Sequence, residues 1–364
     1  MDVTATTTQL ASAASALVKL VPGKLIDPVL SGLLLTASAS GVAFAANDRE
    51  RAAKVERDAL VHTEGRVLVP AKPLADTLRA LDQEQVRLVV EGSKLAIRAP
   101  GARYALPLLD ADVHPGVGTA PPVAGTVDGA YFASALATTV LAASRDDALP
   151  MFTGVRVRAE GDRLIMVATD RYQMALASLP WSPSGSPVDA LVPANLLSEL
   201  AKQLPSSRVT VYADHDRFGL GWDGALATTA VLDGSFLHES KIHLSDVDTV
   251  VTLDADALAG AVRRVGLYTD ARGVLLVDVD DSELRVRGAD QKSGEAEETV
   301  KATVDGGRTG QAYQARFLTD ALRCFTGQRV RMEVQPGMRA TVFSSEEPTE
   351  PAVRYVVMPM LPPK

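Results

Sequence analysis

The sequence predicts an α+β fold: three tandem similar domains, each of antiparallel sheets with two helices. The first observation behind this is a strand-bend-strand signature that occurs three times. It reads Ala46-Asn47-Asp48-Arg49, then Ala168-Thr169-Asp170-Arg171 within the stretch Val167–Leu176, then Gly288-Ala289-Asp290-Gln291. The three aspartates stand 122 and 120 residues apart. Solenoid units run to about 20–50 residues, so this period is one of whole domains. The second observation is a helix repeated in register: Lys72, Asp76 and Arg79; Asn195, Glu199 and Lys202; Arg316, Asp320 and Arg323. Each set has a polar or basic residue, an acid four later and a base seven later, all on one helical face. The third is composition, 46% hydrophobic and 23% charged in 364 residues, which suits two or three soluble domains of ordinary size.

Taken in order, a strand at Val3–Ala5 leads into a helix from about Thr8 to Val21, capped by Thr7 or Thr8. Leu10, Ala14, Leu17, Val18 and Val21 form its apolar stripe. Asp128 caps the second copy, with Phe132, Leu136 and Val140 buried; Asp254 or Asp256 caps the third, with Leu258, Ala261, Val262 and Val265. A glycine-headed strand follows each: Gly32, Gly154 and Gly273. The run Pro28–Ala46 imitates a signal peptide, but Asp2 opens the chain and a turn at Ser38–Gly41 splits the run, so a hairpin of two core strands is expected. In the middle copy the same slot, Pro150 to Arg158, reads as a strand. Each second helix leads into a hairpin: Val86–Val90 with Leu95–Arg98, Val209–Tyr212 with Phe218–Gly221, Val330–Val334 with Arg339–Phe343. Pro/Gly-rich residues Gly116–Gly125 and the stretch Leu244–Asp248 mark boundaries, giving domains 1–120, 121–246 and 247–364.

The chemistry of catalysis is missing from these patterns. The five histidines, His62, His114, His215, His238 and His243, are scattered with no zinc spacing. Asp146-Asp147 and Asp280-Asp281 read as solvated turn residues, and there is no phosphate loop, dinucleotide fingerprint or nucleophile elbow. No catalytic residue, metal or cofactor is expected. No run is long and uninterrupted enough to span a membrane. Cys324 is the only cysteine, which excludes an intrachain disulfide and points to a reducing compartment. The net charge of −8 excludes a uniformly basic surface, yet Lys72, Arg79, Lys202, Arg316 and Arg323 recur on corresponding helix faces. Such a lining holds duplex phosphates without reading sequence.

Ala168-Thr-Asp-Arg-Tyr-Gln-Met-Ala175, Leu232-Asp-Gly-Ser-Phe236 and Tyr355-Val-Val-Met-Pro-Met360 resemble the bacterial DNA polymerase III beta subunit family, the sliding clamps, over essentially the whole chain. The resemblance implies a DNA clamp fold in which one chain forms half of a closed ring. Two copies then close head to tail around duplex DNA, and the ring is a processivity factor that catalyses nothing. Implied partners are duplex DNA bound without sequence preference, a second copy (a homodimer), the DNA polymerase III alpha subunit, the clamp loader and other clamp-motif proteins, in the cytoplasm at the nucleoid. Lys24, Lys72 and Arg79 fall where the family faces DNA.

Carried over residue by residue, the family's partner-peptide pocket comprises Phe152, Thr169, Arg171, Tyr172, Gln173, Met174, Leu237, Lys241, Ile242, Gln314, Phe317, Met338, Ala340, Val356, Val357, Met358, Pro359 and Met360. It takes short peptides with a Gln and a Leu/Phe pair. Lys94, Arg98 and Arg103 at one end and Glu295, Glu297 and Glu298 at the other suit head-to-tail closure. Several positions depart from the family: Gln173 and Lys241 for Arg, Leu237 for Pro, Ala271 for a bulkier residue, and a tail Leu361–Lys364. These departures suggest a variant or second-copy clamp that still binds replication partners but tolerates a pocket-blocking inhibitor. Two other readings stand beside the clamp: a three-domain interaction scaffold that never closes, and an enzyme with an acidic cleft.

Overall fold

The computed structural model describes residues 1–20, 27–234, 236 and 247–362. One order of elements occurs three times, with an extra strand, Leu60–Thr63, in the first. In the first repeat it runs Asp2–Thr6, helix α1 (Thr7–Leu20), Gly32–Ser38, Gly41–Asn47, Arg51–Arg57, Leu60–Thr63, Gly65–Pro70, helix α2 (Ala71–Arg79), Gln85–Glu91, Lys94–Ala99 and Ala102–Pro107. The second repeat places helices α3 (Gly129–Thr139) and α4 (Ala194–Ala201) at the same points, and the third places α5 (Ala255–Val265) and α6 (Ala315–Arg323). The fold is α+β, with antiparallel pairing throughout the registers that follow.

Local chemistry explains the repeated bend. The Asp48 carboxylate accepts from the backbone N–H of Glu50 (3.1 Å) and Arg51 (2.6 Å). Asp170 accepts from Tyr172 and Gln173, both at 2.9 Å, and Asp290 from Lys292 and Ser293, both at 3.0 Å. A short carboxylate bonding its own backbone two and three residues on is the cheapest way to fix a tight turn, so each copy keeps an aspartate there. The glycines heading the third-position strands have a steric cause in two copies. A Cβ on Gly32 or Gly154 would lie 2.8 Å from a Leu68 or a Leu191 methyl. Gly273 instead sits just before its strand, with φ +65°.

Several local expectations change. Thr7 lies inside α1 as a buried residue whose hydroxyl has no hydrogen-bond partner, so it is no side-chain cap; Val18 is half-buried, and Val21 is outside the described residues. Asp254 does cap α5, accepting from Ala257 N–H at 2.7 Å. Pro150–Thr153 is a 3-10 turn rather than strand, and the strand starts at Gly154. Proline pre-sets the turn's φ and donates no ladder bond. The last hairpin's second strand begins at Thr341, two residues later than expected, because the Gln335 amide bonds the Ala340 carbonyl (2.8 Å) and holds the connection as a loop.

Packing groups the chain into two compact units, each described by itself. The first holds residues 1–130, 182–190 and 202–231; the second holds 131–181, 191–201 and 232–364. In the first unit a five-stranded sheet runs Leu60–Thr63, Asp2–Thr6, Gln85–Glu91, Lys94–Ala99, Ala102–Pro107, over a core that includes Leu10, Leu17, Leu74 and Leu88. Its other sheet carries Arg51–Arg57 paired with Ala225–Ala230, so that Ala52 faces Thr228 and Arg51 faces Thr229. In the second unit Gln173–Pro183 pairs with Ala352–Val357, so that Met174 faces Val356 and Gln173 faces Val357. The middle repeat thus contributes one sheet to each unit. Backbone pairing across repeats explains why packing does not follow the 120-residue period.

Candidate functional site

The expected pocket residues that are described all lie in the second unit, around the bend after Arg163–Thr169. Thr169 Oγ1 donates to the Gln173 carbonyl (2.6 Å) and accepts from Arg171 N–H (3.0 Å). With Asp170 holding the other side, Arg171 takes φ +83°, a left-handed conformation unusual for a side chain of its size. The bend exposes Arg171 and Tyr172 and turns Gln173 inward. Below it lies an apolar floor of Val167, Met174, Val342 and Val356, with Phe236 and Ala340 packed against it.

The C-terminal strand completes the site through its backbone. Met358 N–H donates to the Tyr172 carbonyl (2.8 Å) and Met360 N–H to the Ala312 carbonyl (2.7 Å). Met358 and Met338 are both exposed. Next to them, a cleft of about 320 Å³ is lined by Met338, Pro359, Met360, Pro362 and Leu276 among others. Phe317 on α6 stacks on Tyr172, with centroids 6.3 Å apart at 17°. Arg171 lies 5.9 Å from the Phe152 ring and 5.8 Å from the Tyr172 ring, and Arg316 lies 4.5 Å from Phe317. Gln314 donates to the Arg272 carbonyl (3.1 Å) and accepts from Arg316 Nε (3.0 Å).

Several expected site residues have neighbours that their spacing did not show. Gln173 is buried and its amide is fully engaged: Nε2 donates to the Leu141 carbonyl (3.3 Å) and Asp170 (3.1 Å), and Oε1 accepts from Tyr355 Oη (2.8 Å). Its side chain is therefore held beneath the bend. Val357 and Pro359 are likewise buried, and Val357 is core rather than wall. Arg316, expected on a DNA-facing stripe, sits with the pocket's aromatic rings. Leu237, Lys241 and Ile242 lie outside the described residues.

The junction has a counterpart in the first unit, where Ala230 N–H donates to the Glu50 carbonyl (2.8 Å) as Met358 does to Tyr172. There the paired residues are Ala52 and Thr228 where the second unit has Met174 and Val356. The same backbone frame therefore carries smaller and more polar side chains at that point. The sequence could have shown this, since Ala52 and Met174 stand at equal distances after Asp48 and Asp170.

Among the basic positions, Lys72 and Arg79 both bridge Asp76, at 2.8 and 2.5 Å, and the Lys72 ammonium beside Asp76 holds its carboxyl below the usual range. On α6, in contrast, Asp320 bridges neither Arg316 nor Arg323 among the described residues; burial pushes its carboxyl up, against the pull of Arg145, Arg316 and Arg323. Lys202 and Arg323 are exposed, and Lys24 lies outside the described residues. Of the end charges, Arg98 and Arg103 share Glu91 at 2.5 Å each, Glu298 holds Arg264 at 2.7 Å, and Glu297 stands 3.7 Å from Arg285. Lys94 and Glu295 are exposed and have no ion-pair partner among the described residues. Among the described residues Ala102–Pro107 pairs on one side only, and so does Gly294–Lys301 within the strand Gly294–Gly306. Among the described residues no cluster of three or more His, Cys, Asp or Glu could hold a metal, and no helix is long and apolar enough to cross a membrane.

Models of the DNA polymerase III beta subunit match in chain order: its N-terminal domain over residues 1–118, its central domain over 126–237 and its C-terminal domain over 245–361. A beta sliding clamp of Micrococcus luteus is 34% identical over 283 residues, 76% of this chain and 91% of the relative. That of Streptomyces coelicolor is 28% identical over 363 residues, 96% of each chain. The crystal structure of the DNA polymerase sliding clamp from Bacillus subtilis superposes with a TM-score of 0.92 at 19% identity, covering 100% of this chain and 99% of that one. This last likeness is one of fold.

Proposed function

The chain belongs to the DNA polymerase III beta subunit family, the sliding clamps, and from that premise we propose how its surfaces share the work. It is a processivity factor and not an enzyme. Two copies close head to tail into a ring around duplex DNA, and the groove at the Gln173–Val357 junction tethers the replicative polymerase, the clamp loader and other clamp-motif partners. The observation that carries this reading is the exposed apolar groove itself. Tyr172, Met338 and Met358 are exposed apolar side chains of the unit whose core includes Val167, Met174, Val342 and Val356, and backbone bonds join Met358 to Tyr172 and Met360 to Ala312 across two repeats. Flexible methionines over a fixed apolar floor can accept several related peptides.

Phe152, Thr169, Arg171, Tyr172, Met174, Gln314, Phe317, Met338, Ala340, Val356, Met358 and Met360 form the groove or its supports in this reading. Gln173 and Val357 act from beneath, as positioning residues. Residues 1–120, 121–246 and 247–364 are the three duplicated domains. Lys72, Arg79, Lys202 and Arg323 face phosphates. The two one-sided strand edges, Ala102–Pro107 and Gly294–Lys301, support closure, because an unpaired edge is a ready template for another strand. The protein works in the cytoplasm, on the nucleoid.

Loading onto nicked circular DNA by a clamp loader tests the whole reading. A closed ring stays on the circle at high salt and is released when the circle is cut. Release from the intact circle as salt rises identifies ordinary charge-held binding instead. A concentration-independent monomer in sedimentation identifies the scaffold.

A further inference from the structure

Gln173 uses all of its polar atoms inside the protein. Its backbone N–H donates to Asp170 Oδ1 (2.9 Å) and its carbonyl accepts from Thr169 Oγ1 (2.6 Å), which closes the bend. Its side chain reaches further. Nε2 donates to the Leu141 carbonyl and to Asp170 Oδ2, and Oε1 accepts from Tyr355 Oη. Three elements thus meet at one buried amide: the bend, the 3-10 turn Val140–Ala142 directly after α3, and the strand Ala352–Val357. Gln173 is 5% exposed and Tyr355 is 0% exposed. The bend itself does not require this arrangement. At the same place after the aspartate the first repeat has Arg51 and the third has Ser293. Both donate their backbone N–H to the bend's aspartate, at 2.6 and 3.0 Å, and neither side chain is buried. Burying an amide costs stability unless its donors and acceptor are matched, so a matched amide in one copy alone marks a role that the turn does not explain.

The neighbours of the amide indicate that role. The bend presents Tyr172, whose carbonyl holds Met358 N–H and whose ring stacks on Phe317. Tyr355 pairs with Ala175, two residues beyond Gln173 on the adjoining strand. A shift of the turn after α3 moves the Leu141 carbonyl, and with it the amide that holds both the bend and the strand. A fully bonded buried network favours one arrangement, so its parts move together. We propose that Gln173 is a positioning residue that couples the partner groove to the end of α3. A partner seated in the groove steadies the turn after α3, and a disturbed turn loosens the partner by the same factor. This rests on the groove being the partner site.

The test uses the full-length protein and a labelled peptide with a Gln, a Leu-Phe pair, blocked ends and no titratable side chain. Saturating peptide slows amide hydrogen exchange over residues 137–144 of the parent at least about threefold. In Gln173→Leu, peptide affinity by fluorescence anisotropy falls about tenfold, and saturating peptide no longer slows that segment. Gln173→Glu separates positioning from packing. Protonated, the introduced carboxyl still accepts from Tyr355 and donates one bond; ionised, it donates none and faces Asp170. Burial beside a carboxylate raises its pKa, so peptide affinity is near the parent's at pH 5 and about tenfold weaker at pH 8, while the parent's stays level. Asp170, Asp320 and Cys324, the titratable groups near the Tyr355 hydroxyl, are the same in both proteins, so the comparison isolates the new carboxyl. Tyr355→Phe, which removes one hydroxyl and keeps the volume, weakens the peptide about threefold and guards against misfolding as the cause. Exchange over residues 137–144 that ignores the peptide in the parent overturns the coupling and leaves the groove intact. So does full slowing in Gln173→Leu, or a Gln173→Glu affinity that does not fall with pH. Failure of the peptide to bind the parent removes the groove reading itself.

Discussion

Cys324 and His114 are titratable groups that burial holds in their neutral forms. Burial just after α6 pushes the Cys324 thiol up to about 12, and its Sγ–H donates to the Asp320 carbonyl at 3.3 Å. At pH 8 the thiolate, which is the reactive species, is then scarce. Ellman's reagent is expected to label the native protein at least about a hundredfold more slowly than the unfolded chain. His114 is 4% exposed; Nδ1 accepts from Gly116 N–H (3.1 Å) and Nε2 is buried without a partner. Burial, with Arg66 nearby, pulls its pKa below 6.5. A histidine depressed in the folded state adds stability that is complete above the unfolded value and is lost as pH falls through the folded one. The midpoint of urea unfolding is therefore expected to drop between pH 7.5 and 5.5, a window above ordinary carboxylate titration. In His114→Gln the drop shrinks; an identical drop would move its cause to another group.

Elements built from local chemistry were legible in the sequence, and those chosen by distant neighbours were not. The Asp48, Asp170 and Asp290 bends, the Asp254 cap and the register of α2, α4 and α6 depend on residues a few positions apart, so their spacing announces them. The stacking of Tyr172 on Phe317 and the burial of Gln173 against Leu141 and Tyr355 depend on residues that only the folded chain brings near. A helical face read from spacing shows that a stripe exists but not what it meets. The bends also separate stability from function. Asp48→Ala and Asp170→Ala each leave two backbone N–H groups without a side-chain acceptor, so each is expected to cost about 1–2 kcal/mol in chemical denaturation. Only Asp170→Ala should also weaken binding of a Leu-Phe peptide, because Asp170 sets the position of Tyr172. Equal peptide binding by both variants would show that Tyr172 is placed without that turn.

At the scale of the whole molecule, strand pairing between repeats governs packing within each unit, and in the proposed ring it would govern assembly as well. Within the chain two junctions are sealed by strand pairs, Arg51–Arg57 with Ala225–Ala230 and Gln173–Pro183 with Ala352–Val357. The edges of Ala102–Pro107 and Gly294–Lys301 are one-sided among the described residues, and the proposed closure pairs them between two chains, which would be a third use of the same device. Charge sets the direction. Arg98, Arg103, Glu297 and Glu298 already have partners inside the chain, so removing any of them disturbs the monomer as well as the contact. Lys94 and Glu295 are the clean probes, being exposed and without an ion-pair partner among the described residues. In sedimentation velocity at low salt, Lys94→Glu and Glu295→Lys are each expected to raise the dimer dissociation constant about two- to fivefold, since one exposed pair contributes no more than about 1 kcal/mol. The double variant, with the charges exchanged, should return toward the parent, and high salt should erase all three differences. If the single variants dimerise like the parent, the strand edges alone hold the closure, and the opposed charges at its ends guard those edges without steering them.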